Sequence, residues 1–252
     1  MTASRSRLVL AGLPREVGGI LRRHWVAAVP PAALLGALAG TLVLVRHDLG
    51  GEILIGLLLA VMFEIYVGYA EVIVAADRST GPRPPIATML RRALPMTVPL
   101  VLASLVAVSV PVAATGLLVI PGFWLLTIWS LFAPVIVHEK LGVRASLTRS
   151  RALVRGAFWA VAASVSLSVL VEHGVIHAAA HTTTDAAGST LLGLAGAALA
   201  TALVSGPAAF TISVVYERLA GDVRASPPHG GVHPRPADAP QSRSAMSHDL
   251  RS

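Results

Sequence analysis

The chain has 252 residues, 54% hydrophobic and only 13% charged, about half the charged share of an ordinary soluble domain, and tracts such as 26–45 hold no Asp, Glu, Lys or Arg at all. A water-soluble globule is thereby excluded, and the absence of cysteine excludes disulfides, zinc-thiolate sites and cysteine nucleophiles. The net charge of +7 sits between apolar tracts, with no basic stripe interleaved with aromatics, which favours anionic lipid headgroups over nucleic acid as its partner.

The first element is amphipathic. Leu13, Val17, Ile20 and Leu21 fall on one stripe and Arg15, Arg22 and Arg23 lie off it, the pattern of a helix resting on a membrane surface with its arginines reaching headgroups. The apolar tract 26–45 follows. Its length exceeds the core of a cleaved signal peptide, so it is expected to be a retained first span. A second tract, 53–74, carries Glu64 near its middle and Glu71 on nearly the same face seven residues later. An acid at the bilayer centre costs roughly 2.5–3.5 kcal/mol on insertion scales, so such residues normally face a bundle interior or cavity. Two readings stay open for this pair: a proton or cation relay, or a neutral carboxyl that hydrogen-bonds across helices, with Glu71 reaching the inner interface.

The third tract, 94–137, is long enough for two crossings of about twenty residues. Its punctuation is Ala114-Thr115-Gly116 and Pro121-Gly122, which predicts helices near 95–114 and 117–137. Over 141–156, Val143, Leu147, Ser150, Leu153 and Val154 share one side of a helical wheel, and Arg144, Arg151 and Arg155 share the other. This predicts a second interfacial helix along the inner leaflet. Tracts 157–180 and 189–215 complete the apolar set, the last with Gly193, Gly196, Ala197 and Ala200 suited to close helix packing. After Asp222 the prolines and isolated charges predict a disordered tail.

Arginine placement supplies the topology, because cytoplasmic loops carry the Lys and Arg excess. With six spans and the N-terminus inside, the inner segments hold 19 of the 20 basic residues, leaving only Arg46 outside. A five-span arrangement breaks that alternation. Arg22, Arg91 and Arg155 each precede a span, at intervals of 69 and 64 residues. A threefold repeat of an amphipathic segment plus a hairpin explains the spacing, as does the simpler rule that helices entering from the cytoplasm begin with basic residues.

The expected fold is all-α: a polytopic membrane protein with six transmembrane helices as three hairpins, and cytoplasmic amphipathic interfacial helices. Residues 1–24 form the cytoplasmic amphipathic segment, 25–221 the transmembrane domain and 222–252 the tail. No Gly-x-Ser-x-Gly elbow, His-Glu-x-x-His pair or glycine-rich phosphate loop occurs. His173, His177 and His181 stand four apart, but helical rise spreads the outer two over about 12 Å, so one ion could take only an adjacent pair. They are expected to be a polar helix end. No catalytic residue, metal or cofactor is therefore expected.

The segments Ile120-Pro121-Gly122-Phe123-Trp124, Trp129-Ser130-Leu131-Phe132-Ala133-Pro134-Val135-Ile136-Val137-His138-Glu139 and Ala145-Ser146-Leu147-Thr148-Arg149-Ser150-Arg151-Ala152-Leu153-Val154-Arg155-Gly156-Ala157-Phe158-Trp159 together resemble a bacterial six-helix membrane family, typified by the membrane domain attached to some glycerophosphoryl diester phosphodiesterases. Tyr216-Glu217-Arg218-Leu219 resembles the tyrosine-acid-arginine close of its last helix. In that family the hydrolase machinery lies in a separate soluble barrel with no counterpart here, so the resemblance implies a bacterial cytoplasmic-membrane scaffold and carries over no catalytic residue. The candidate functional residues are then Glu64 and Glu71 in the membrane, and Arg144, Arg149, Arg151 and Arg155 for lipid headgroups. The expected role is non-enzymatic, membrane organisation or scaffolding through lipids or partner proteins; the alternative is a small transporter or permease coupling ions through Glu64 and Glu71.

Overall fold

A computed structural model describes residues 10–45, 49–80, 84–117, 119–165 and 190–225. The described residues are 90% helical and contain no strand. The histidine series at 173–181, most of the tract 157–180 and the tail beyond 225 lie outside them.

Helix α1 spans Leu13–Arg23 and starts after Gly12, whose φ of +65° is a left-handed conformation that glycine adopts without a Cβ clash. Pro14 occupies its first turn, where the missing N–H has no helical partner to lose. Glu16 near the positive end of the helix and Arg22 and Arg23 near the negative end suit the macrodipole. The stripe predicted for this helix is the buried one: Leu13, Val17 and Ile20 are inside and Arg15, Arg22 and Arg23 outside. What buries it is protein, since α1 packs on the last helix.

Helix α2 (Trp25–Val45) follows at once, and α3 (Leu49–Arg78) is the central element, touching α2, α4, α5, α7 and α10. Tyr66, Val67, Ala70, Ile73 and Val74 form its buried face, and the Tyr66 hydroxyl donates to the Ala28 carbonyl at 3.0 Å, tying α3 to α2. Gly68 permits the closest approach: a Cβ there would stand 2.6 Å from Leu100 Cδ1 and 3.3 Å from Val137 Cγ2. Helix α4 (Ile86–Ala93) is a short amphipathic segment joined by a 3-10 turn to α5 (Thr97–Leu117). Helix α6 (Val119–Trp129) then begins. The two middle helices are described up to Leu117 and from Val119, with residue 118 between them outside the described residues, and α5 runs through the expected punctuation at 114–116. Pro121-Gly122 sits inside the first turn of α6, where a proline removes no helical hydrogen bond.

The helix predicted over 117–137 is interrupted. Residues Ser130 and Leu131 form a turn, and the helix restarts as α7 (Phe132–Glu139). Pro134 explains the break, because it has no N–H for the Ser130 carbonyl and its ring crowds that carbonyl. Helix α8 (Val143–Val154) is reached through Lys140, which takes a left-handed φ of +51°. It doubles back along α7 and supplies what the break lacks: the Ser150 hydroxyl accepts from Leu131 N–H at 3.2 Å and donates to the Ile128 carbonyl at 2.8 Å. Ser146, Leu147, Ser150, Leu153 and Val154 are buried, nearly the predicted face. Its buried face is docked against α5, α6, α7 and α10. Helix α9 is described over 158–165. Helix α10 (Thr190–Ala225) continues through Asp222, past the expected start of the tail, and packs most extensively on α2.

Among the described residues, four stretches are long and apolar enough to cross a membrane: Leu57–Arg78, Ile86–Pro111, Ile120–Glu139 and Leu199–Arg224. Their burial separates core from periphery, at 65% for the last and only 22% for Ile86–Pro111. Exposed side chains of these stretches are largely apolar, among them Val98, Leu102, Ile120, Leu199 and Leu203, a surface that lipid satisfies and water does not.

Candidate functional site at the polar end of the bundle

The ends of α3, α7 and α10 and the start of α1 meet at one end of the bundle, where the ion pairs among the described residues collect. Glu16 of α1 accepts from Arg78 of α3 and from Arg218 of α10, so one carboxylate holds three elements. Asp77 receives Arg23 through two hydrogen bonds of 2.9 and 2.7 Å, and His24 Nε2 lies 3.0 Å from the same carboxylate. Its hydrogen bond with Asp77 is the main reason the Arg23 guanidinium is held above its ordinary pKa. Glu139 closes α7: Arg149 of α8 donates Nε to both its oxygens at 3.0 Å, and the buried Tyr216 of α10 donates its hydroxyl at 3.2 Å.

Deeper lies a second group. Glu71 of α3 is fully buried, and neither of its carboxylate oxygens has a hydrogen-bond partner among the described residues. His138 Nδ1 of α7 stands 3.7 Å from Glu71 Oε1 and 3.8 Å from Glu217 Oε1 of α10. One ligand atom from each of the three residues lies within 4.8 Å of the others. The imidazole ring meets the Tyr216 ring edge-on at 5.8 Å between centroids, which fixes its plane. Ser213, one helical turn before Glu217, is buried beside Glu71, its hydroxyl outside hydrogen-bond geometry.

Glu71 is thus brought into a three-helix cluster. Glu64 is not part of it: it is half-buried two turns away on α3, about 10 Å along the axis. His138 and Glu217 were not among the sequence candidates, because each stands within two residues of a basic side chain, Lys140 and Arg218, and reads as an ordinary helix end. A signal was nevertheless present. The tracts ending at Arg78, Glu139 and Arg218 all run toward the basic side, so polar residues in their last turns share one depth.

The arginine candidates lie nearby on α8. Arg144 is exposed, Arg149 is turned to Glu139, Arg151 stacks over the Trp124 ring at 5.7 Å, and Arg155 is exposed at the helix end. Between them, Arg144, Ala145, Thr148, Arg149 and Ala152 line an open groove of about 570 Å³.

By class this is an all-helical, multi-pass membrane protein, defined by the four long apolar helices. No family model, no curated protein and no solved structure matches the chain, so the motif resemblance stands on its own residues.

Proposed function

We propose that the protein is a non-enzymatic scaffold of the bacterial cytoplasmic membrane that crosses six times as three hairpins, with both termini inside, and binds anionic phospholipid at its cytoplasmic face. The groove on α8 carries this reading. Its floor of Ala145, Thr148 and Ala152 offers small side chains for an acyl chain or glycerol, and Arg144 and Arg149 flank it, as suits a phosphate beside hydrocarbon. The exposed Trp25 and Trp159, just beyond Arg23 and Arg155, suit the aromatic belt of an interface. The gathering of Arg23, Arg78, Arg149 and Arg218 at one end supports the inside assignment.

The arginine groove predicts that Arg144→Gln lowers the anionic phospholipid retained on the purified protein roughly fivefold, at about 1 kcal/mol per basic residue near the surface. Arg149 is left intact because Glu139 depends on it. Lipid mass spectrometry of the detergent complex reads the effect, and an unchanged anionic share would reject the groove. For the topology, reporter fusions at Asp48, Arg83, Thr115, Arg149, Asp185 and Arg224 are expected outside, inside, outside, inside, outside and inside. An inside Thr115 would remove a span. The interrupted helix beside Glu71 favours a second reading, ion transport coupled through Glu64 and Glu71. That reading requires a flux in proteoliposomes that Glu64→Gln abolishes.

A further inference from the structure

We propose that Glu71, His138 and Glu217 form a binding site for one divalent transition-metal ion, of the zinc, manganese or ferrous class. The proposal is separate from lipid binding on α8.

Two sides of the triangle are close to coordination spacing, and the third, from Glu71 to Glu217, lies within 4.8 Å. Metal–ligand bonds of about 2.0–2.2 Å to nitrogen and oxygen place neighbouring ligand atoms about 3–3.6 Å apart. The separations of 3.7 and 3.8 Å from His138 Nδ1 need to contract by only a few tenths of an ångström. That is within reach of side-chain rotation with no helix moving.

Glu71 supplies the independent sign of a missing partner. Its side chain is 0% exposed, its Oε1 lies 3.7 Å from His138 Nδ1, and neither oxygen reaches hydrogen-bond geometry with the Ser213 and Glu217 side chains beside it. Polar groups inside proteins are nearly always satisfied, and an orphaned one calls for an explanation such as an ion. The nearby arginines make their ion pairs elsewhere: Arg149 is joined to Glu139, and Arg78 and Arg218 to Glu16. A dication balances the two carboxylates of the cluster where a single imidazolium would leave one negative charge over.

Donor chemistry narrows the ion. Calcium and magnesium take oxygen ligands, whereas an imidazole with carboxylates suits zinc, manganese and ferrous iron. Three protein ligands leave coordination positions open, as in sites that handle water or a substrate, while purely structural zinc sites are closed by four. Entry is available from the polar end, since the His138 and Glu217 side chains are 31% and 18% exposed while Glu71 is sealed behind them. A bound ion would tie α3, α7 and α10 together.

Full-length protein, purified in mild detergent and stripped with a chelator, should bind one equivalent of Zn²⁺ or Mn²⁺ in an isothermal titration, with micromolar or tighter Kd. His138→Ala and Glu217→Gln should each weaken that binding at least tenfold. Both positions are partly exposed at the end of the bundle, and helical circular dichroism verifies that each variant is folded. No saturable binding below millimolar metal by the wild type would overturn the proposal. So would undiminished affinity in both variants, which would assign the ion to other histidines of the chain. Lipid retention measured on the same preparations separates the two readings, because loss of metal binding leaves the α8 groove intact.

Discussion

Replacing Glu71 by methionine is expected to raise the unfolding temperature of the metal-free protein. The carboxyl is fully buried with neither oxygen hydrogen-bonded, and an unsatisfied polar group of this kind costs about 1–3 kcal/mol by mutational measure. Methionine is close in volume and flexible enough to fill the same space. For a chain of this size, 1 kcal/mol corresponds to roughly 2–4 °C, so a rise of several degrees is the expected result. Thermal unfolding of chelator-treated protein in detergent, followed by circular dichroism, reads it directly. The same substitution should abolish metal-dependent stabilisation of the wild type. Gain of stability with loss of binding is the signature of a group kept for function. A drop in unfolding temperature would instead make Glu71 a contributor to packing.

The sequence legibly marked the polar and apolar faces of α1 and α8, yet not what those faces would touch. Leu13, Val17 and Ile20 are as suitable for lipid as for the side of α10, because a helical wheel reports apolarity and carries no information about the partner. Ser150 is the instructive residue. It fell on the apolar side of the wheel, where a hydroxyl looks like a neutral filler, and its role appears only once Pro134 has broken the preceding helix and left two backbone groups open. The proline was visible all along. That it would interrupt the span, rather than bend it, depends on α8 returning to cap the gap, which is a contact across about twenty residues. Glu71 was picked out for the same reason that it matters, the cost of a carboxyl in an apolar tract. Its partners were missed because His138 and Glu217 sit on other helices, and only packing gathers them. Ala114-Thr115-Gly116 is weak punctuation inside an apolar run, and α5 continues through it to Leu117.

Ser150→Ala tests how far the interrupted span depends on α8. The hydroxyl is the acceptor for Leu131 N–H and the donor to the Ile128 carbonyl, and both backbone groups are displaced from regular helical bonding by the break. Ser130 cannot substitute, since its own hydroxyl is turned to the Thr127 carbonyl at 2.9 Å. Water has no easy access, with Ser150 fully buried and Leu131 likewise. Leaving each group unpaired costs about 1–3 kcal/mol, so the expected destabilisation is roughly 2–4 kcal/mol once the chain relaxes. Ser150→Thr keeps the hydroxyl and should recover most of it. A cavity explanation predicts a much smaller loss, because removing one oxygen vacates little volume. Unfolding measured for the three proteins side by side decides between them. A Ser150→Ala protein as stable as the wild type would show that the break is held by packing of α7 alone. With the expected loss, the cap joins the Arg149–Glu139 pair in holding α8 against the interrupted span, on which the positions of Glu139 and His138 depend.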